Sequence, residues 1–368
     1  MAKLHEYQGK QILQMFKIPV PRGKLITEPG EITQMQEWFE SDVVIKGQAW
    51  VTGRAGKGLI KFATNREEAA AAAAVMLGRE VGSHSIEHVL VEEKLPIERE
   101  FYAGLIIDDV SQSPVLIFSS IGGSGIEQIS QEHPEAIAKM VIQIQTGLKE
   151  YQARDLVRQT GIRGKLQGQL ADVLVKLYQA ARKYHARAAE INPIVLLTDG
   201  RLMAADCRIT VDDNAVYLSP ELGIEVAREF DRPPTRLEKI AWNVEKNDYR
   251  GTFFFIQMEQ GFEKDTGYIG FHGAGGGGSM MSMDAVMNQG FHIANFVDTS
   301  GNPPASKVYR AARIILSQPN IDGYFSSGSG VASQEQFHSA RGLVKAFMEH
   351  PLTVPAVIRL GGNAEETT

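Results

Sequence analysis

Residues 191–209 read INPIVLLTDGRLMAADCRI, two apolar runs on either side of Thr198-Asp199-Gly200. A three-residue loop with Gly200 in the left-handed region predicts a bulged hairpin. That register sets Asn192 opposite Asp206, with both side chains on one face of the pair. A two-residue turn at Asp199-Gly200 would slip the pairing by one residue and point the two side chains apart. Facing each other, they offer hard oxygen donors suited to Mg2+ held jointly with phosphates. A plain hydrogen bond between asparagine and aspartate is the simpler use of the same pair.

Upstream, residues 4–16 predict a short amphipathic helix, ended by Pro19 and Pro21, which cannot continue it. DVVIK (42–46) is an apolar run closing on Lys46, followed by the loop GQAWVTGRAGKG (47–58). Asn65 is placed to cap REEAAAAAAVML (66–77), with acids in the first turn and Gly78 as the stop. HVLVEE (88–93), EFYAGLII (100–107) and PVLIF (114–118) predict strands. Pro134 predicts the start of a helix running to residue 148, and 167–186 a second, longer one. Lys46 is either a solvated strand end or a partly buried ammonium that needs an anion, such as phosphate. TGRAGKG (52–58) is either a surface turn or a loop of amides and two cations suited to polyphosphate. It lacks the Walker A spacing.

Downstream, REFDRPPTR (228–236) reads as a linker and divides the chain into domains 1–238 and 239–368. Strand and helix signals then alternate. YIGFH (268–272) precedes the glycine-rich GAGGGG (273–278), ANFVD (294–298) precedes PASKVYRAARIILSQ, and DGYFS (322–326) precedes VASQEQFHSARGLVKAFMEH. PAVIRL (355–360) closes the series. This βαβ pattern predicts a mostly parallel, doubly wound sheet, so an α+β region is followed by a smaller α/β domain.

Bulk properties narrow the function. A chain of 368 residues exceeds one ordinary core, and 43% hydrophobic with 22% charged residues describes a globular protein. The net charge of −6 argues against a nucleic-acid partner. Cys207 is the sole cysteine, which excludes an intrachain disulfide and a multi-cysteine zinc site. The histidines show no metal-ligand spacing. With no apolar signal core at the N-terminus and no long apolar window, a cytoplasmic enzyme without a membrane partner is expected.

LHEYQGKQIL (4–13), VVIKGQAWVTGRAGKG (43–58), VLVEEKLPIEREFYAG (89–104) and AAEINPIVLLTDGRLMAADCRI (188–209) occur in this order. In that order they resemble the nucleotide-binding β subunit of succinyl-CoA synthetase. ANFVD, ARIILS and VPAVIRLGGNAEE (354–366) extend the resemblance through the second domain. It implies an ATP-grasp fold over 1–238 and a flavodoxin-like, CoA-ligase-type domain after it. Lys46 matches the phosphate-binding lysine, Gly53 and Arg54 the glycine-rich nucleotide loop, and Lys57 a cation displaced by one position. Glu92 and Glu100 match the acids at base and ribose, and Asn192 and Asp206 the Mg2+ ligands. Pro21 matches a gate residue whose identity favours ATP. The implied reaction is ADP-forming: ATP phosphorylates a histidine on a separate α subunit, and a bound acyl phosphate then reacts with CoA. The implied assembly is αβ or α2β2.

The acyl-site loops depart from the family pattern. His272 stands where the family has asparagine, before Gly273 and a longer glycine run. VDTSGNPPA (297–305) replaces a glycine-rich stretch, and SSGSGVAS (326–333) another. These loops follow successive strands, where open α/β sheets bind ligands. His272, Ser300, Asn302, Ser327 and Ser329, with Gly273, Gly328 and Gly330, therefore point away from plain succinate. They point to an acid with a further or different anionic group, of the kind of malate, citrate or sulfoacetate. A histidine packed at a strand end is the bland alternative for His272. The methionines at 280, 281 and 283 read as helix packing, and Cys207 as structural. Two other functions compete: an NAD-dependent dehydrogenase using Gly273, Gly275 and Gly278 with Asp298 as the acid, and a non-catalytic nucleotide sensor.

Overall fold

The hairpin forms in the three-residue register. In the computed structural model Ile194 pairs with Ala204, Leu196 with Leu202 and Ile191 with Cys207, and Gly200 has φ 82°. Residues 2–35, 38, 42–51, 53–81, 84–123, 126–224, 232, 234–248, 253–327 and 336–361 are described. They belong to two compact units, Met1–Pro233 and Pro234–Thr368. None of the described helices is long and apolar enough to cross a membrane.

The first unit opens with β1 (Ala2–Lys3), α1 (Glu6–Met15), β2 (Gly23–Ile26), β3 (Val43–Gly47), β4 (Ile60–Ala63) and α2 (Arg66–Met76). A small ribbon, β5 (Glu80–Val81) with β6 (His84–Ser85), leads to β7 (Val89–Glu93), β8 (Ile97–Asp108) and β9 (Ser113–Ser119). Then come α3 (Ile126–Glu132), β10 (Ile137–Val141), α4 (Glu150–Gln159) and α5 (Gly164–Lys183). The unit closes with β11 (Ala186–Leu197), β12 (Leu202–Ala204) and β13 (Cys207–Val211). One antiparallel sheet has the order β2-β7-β3-β4; a larger one runs β1-β13-β11-β8-β9-β10, with β12 paired to β11.

Local signals account for most of these elements. The Asn65 side chain accepts from the Glu68 amide, and Gly78 takes φ 75° just past the helix end. α5 buries Leu170, Leu174, Leu177 and Ala181, the spacing of one helical face, against the larger sheet. One expectation fails. Pro134 starts only a single turn, Pro134–Ala136, and residues 137–141 form β10 beside β9. Ala136, Ala138 and Ile142 are buried while Lys139 and Val141 are exposed, which is a period of two. Good helix formers in this stretch mask that alternation, and pairing with β9 decides the outcome.

The second unit contains α6 (Arg236–Lys246), β14 (Phe254–Gln257), β15 (Tyr268–Gly273), α7 (Gly276–Asn288), β16 (His292–Asp298) and α8 (Ala305–Leu316). β17 (Gly323–Ser327), α9 (Phe337–Glu349) and β18 (Ala356–Arg359) complete it. The sheet order is β14-β16-β15-β17-β18, parallel except for β14 at the edge. Helices lie on both faces. A Cβ at Gly270 would meet Ile315 of α8, whereas Ser327, on the opposite face, bonds Ser282 of α7. This is the doubly wound, flavodoxin-like arrangement. Of the three methionines expected to pack, Met280 and Met281 are exposed and Met283 is partly buried; α7 fully buries only Ser279, at its glycine-rich first turn.

Candidate functional site

The first helix sets the floor of the site. Glu6 and Lys10 stand one turn apart on α1, and both are buried. Gly9, between them, lets the helix approach β13 closely. A Cβ there would lie 2.7 Å from the Cys207 Sγ. Cys207 is buried in that contact, burial pushes its thiol pKa up, and it serves packing.

Around α1 the sheet strands contribute further charges. Lys46, at the end of β3, and Glu92, on the adjacent β7, close a ring of alternating sign with Lys10 and Glu6. Lys10 lies 2.5 Å from Glu92 Oε1 and 2.8 Å from Glu6 Oε1; Lys46 lies 2.8 Å from Glu6 Oε1 and 2.8 Å from Glu92 Oε2. Both ammonium groups also donate to the Ala205 carbonyl, at 2.8 and 2.9 Å. Lys46 thus has three oxygen partners, as many as an ammonium has N–H groups. Arg54 extends the ring outward, reaching Glu6 Oε2 at 2.7 Å and Asp206 Oδ2 at 2.6 Å.

Burial and charge oppose each other here. Burial alone would raise the Glu6 carboxyl, but Lys46, Lys10 and Arg54 hold it well below the usual range. Burial would likewise lower Lys46 and Arg54, yet the carboxylates beside them raise both. Asp206 is raised, by burial and then by Glu6, against the pull of Arg54, Lys46 and Lys10.

A cavity of about 560 Å³ lies above this floor, with Glu6, Gly53, Arg54, Gly123, Asn192 and Asp206 in its wall. Asn192 faces Asp206 as the register requires, with its amide N–H on the Asp206 carbonyl at 3.1 Å. The Asn192 Oδ1 accepts from Gly123 N–H at 3.0 Å, and its Nδ2 reaches Glu190 at 3.3 Å. Burial raises the Glu190 carboxyl, partly offset by Asn192 and Arg208. Among the described residues no group of three or more His, Cys, Asp or Glu is arranged to hold a metal by itself. Asn192 and Asp206 nevertheless present the hard oxygens that suit Mg2+ shared with phosphates.

The two expected ribose and base acids have different surroundings. Glu92 is buried in the ion-pair ring. Glu100 lies against Gly123 of the cavity wall, where a Cβ added to that glycine would come within 2.2 Å of its Oε2. Pro21 is buried beside Arg22, which exchanges hydrogen bonds with Glu93. Gly53 takes φ 67°, and Lys57 is exposed away from the ring. Sequence reasoning did not single out Glu6, Lys10, Gly123 or Glu190. The spacing of four between Glu6 and Lys10 and the Gly122-Gly123 pair after a predicted strand were the available signals.

In the second unit Asp298 ties two loops together, accepting from Gly275 N–H at 2.9 Å and Ser300 N–H at 2.8 Å. Gly273 admits no side chain, since a Cβ would fall 2.2 Å from Ser279 Oγ. His272 is buried, with Nδ1 2.5 Å from the Tyr324 hydroxyl. Burial lowers its pKa to about 4, so the ring is neutral. Ser300 has φ 71°, Asn302 is partly buried in the same loop, and Ser327 is bonded to Ser282. Gly328, Ser329 and Gly330 lie outside the described residues.

The ATP-grasp domain family matches residues 3–196. The chain is 38% identical, over 99% of its length and 91% of the relative's, to the GDP-forming succinate–CoA ligase subunit beta of Thermus thermophilus. The chain belongs to the succinate–CoA ligase β-subunit family. It is also 34% identical to the ADP-forming subunit beta of Bacillus pumilus, over 99% of this chain and 92% of that one. The corresponding protein of Methanocaldococcus jannaschii is 33% identical over 99% and 92%. Among solved structures, ATP citrate lyase from Methanothrix soehngenii, in complex with citrate and coenzyme A, aligns with a TM-score of 0.77. That match has 18% identity and covers 99% of this chain and 91% of the other, so it speaks for the fold. Family membership and the use of Asp298 within its own loops leave no role for the dinucleotide fingerprint: the Gly275 amide that would face a pyrophosphate is taken by Asp298.

Proposed function

We propose that this chain is the nucleotide-binding subunit of an ADP-forming acid–CoA ligase, acting with an α subunit that carries the phosphorylated histidine. The observation that carries the reading is the pairing of Arg54 with Asp206 at 2.6 Å on one wall of the cavity, with Asn192 beside them. A cation for phosphate and oxygens for a divalent metal thus converge on one space.

Asn192 and Asp206 would hold Mg2+ together with the nucleotide phosphates. When bound, the metal supplies charge neutralisation along the polyphosphate. Arg54 donates one N–H to Asp206 and pairs with Glu6 by charge, and its further N–H groups are available to phosphate oxygens. Lys46 contributes its charge from the floor. Glu100, against Gly123 of the cavity wall, suits a ribose contact, and Pro21 favours ATP over GTP. Glu92 acts in this reading through Lys46 and Lys10.

In the second domain, residues 239–368, the loops after β15, β16 and β17 would receive the acid. Gly273, Ser300, Asn302, Ser327, Gly328, Ser329 and Gly330 are the candidate lining. His272 has only Nε2 left for a ligand, since Nδ1 meets Tyr324. We assign the acid to a class of small di- or polyanions, succinate-like, with succinate, malate, citrate and sulfoacetate as the test panel. The assembly would be cytoplasmic, αβ or α2β2, with CoA as co-substrate.

Coexpression with the α subunit, followed by ADP release with CoA and each acid, tests the reading. Release with one acid of the panel supports it. Absence of CoA-dependent release with every acid overturns the enzymatic reading, and succinate as the best substrate overturns the reading of the loops.

A further inference from the structure

The floor of the cavity is balanced in charge. Lys10, Lys46 and Arg54 face Glu6, Glu92 and Asp206, three against three, and the ion pairs among them are 2.5–2.8 Å long. Glu6 holds a particular place among these acids. Its Oε1 takes Lys46 and Lys10, and its Oε2 takes Arg54. One carboxylate therefore neutralises both cations that the proposed reading gives to phosphate, and it does so from the cavity wall. Further out the wall carries Lys3, Arg208 and Glu190.

A bare polyphosphate approaching this floor meets cations whose charge is already answered. A metal–nucleotide complex carries less negative charge and adds a cation that Asp206 and Asn192 can ligate. We propose that Glu6 is a specificity residue, which makes nucleotide binding depend on an accompanying divalent cation. This rests on the assignment of the cavity to a nucleotide. Lys10 is its counterpart: it does not line the cavity, yet it sets the net charge of the ring through its ion pairs with Glu6 and Glu92.

The test is calorimetric binding of ATP to the full chain, once with a chelator and once with Mg2+, for wild type, Glu6→Gln and Lys10→Met. Removing the Glu6 charge leaves the floor one unit positive, and removing the Lys10 charge leaves it one unit negative. Glu6→Gln is expected to bind metal-free ATP at least about tenfold more tightly than wild type, and Lys10→Met at least about tenfold more weakly. Both changes should be smaller for Mg·ATP. Opposite signs are the signature, because mere damage to the fold would weaken binding in both. The proposal is overturned if Glu6→Gln binds metal-free ATP no more tightly than wild type. Should Glu6→Gln fail to fold, Lys10→Met is compared with the double variant Glu6→Gln/Lys10→Met. The double variant restores neutrality and must return to the wild-type metal dependence; failure to return overturns the proposal. A wild-type chain that binds Mg·ATP while the variants do not shift sinks only this inference. A wild-type chain that binds neither form of ATP takes the nucleotide reading down with it.

Discussion

Glu92 holds the Lys10 ammonium on both of its oxygens, at 2.5 and 2.7 Å, with both side chains buried. The pair joins α1 to β7 and fixes Lys46 from below. A buried ion pair is costly to break from one side, since the surviving charge is left uncompensated. Glu92→Ala should therefore destabilise the first unit by about 3–5 kcal/mol. Urea unfolding followed through a first-unit fluorophore such as Trp50 would report it. A loss below 1 kcal/mol would mean that water already screens the ring.

Asp206 is the one carboxylate of the floor that meets both Arg54 and the proposed metal position. Asp206→Ala should abolish phosphorylation of the α subunit by ATP, read with γ-labelled nucleotide. Unchanged labelling would refute the Mg2+ assignment.

His272 titrates differently folded and unfolded. Burial holds its folded pKa at about 4, below the ordinary 6.5, so the unfolded chain binds the extra proton first. The contribution is complete above pH 6.5 and is lost as the pH falls from 6.5 to 4. The full span corresponds to about 3 kcal/mol. Chemical denaturation of wild type and His272→Gln across that window checks it: the variant should show a shallower slope. Equal slopes would show that His272 is already solvated.

Gly9 and Cys207 set how closely α1 approaches β13. Gly9→Ala brings a methyl to 2.7 Å from Sγ, which forces a shift costing about 1–3 kcal/mol. The same shift moves Glu6 and Lys10, so Mg·ATP binding should weaken with it. Adding Cys207→Ala removes the clash and should recover much of both losses, a coupling measurable by a double-mutant cycle. Additive losses would disconnect the two residues.

Where a residue's role depends on local spacing, the chain declared it. Gly200 fixes the hairpin loop, and from that loop follows the facing of Asn192 and Asp206. Asn65 and Gly78 mark the ends of α2, and the βαβ series gives the second sheet. Residues 137–141 show the limit: their composition favours helix, and only the partner strand β9 makes their alternation count. The same limit hid Glu6 and Lys10. In sequence they are two charges on a short helix, as compatible with a solvated face as with a buried one.

What the sequence by itself determined is the order of the elements, the hairpin register, the family and the candidate cations and oxygens, because each follows from short-range periodicity or a matched motif. What only the tertiary structure decided is which charges meet. Lys46 comes from the sequence as a solvated strand end or an ammonium in need of an anion such as phosphate, and the fold surrounds it with Glu6, Glu92 and the Ala205 carbonyl. The physical reason is distance along the chain. Glu6, Lys46, Glu92 and Asp206 are far apart in sequence and interact only after two sheets and a helix have packed together, and no local pattern encodes an electrostatic energy that varies with their final separation.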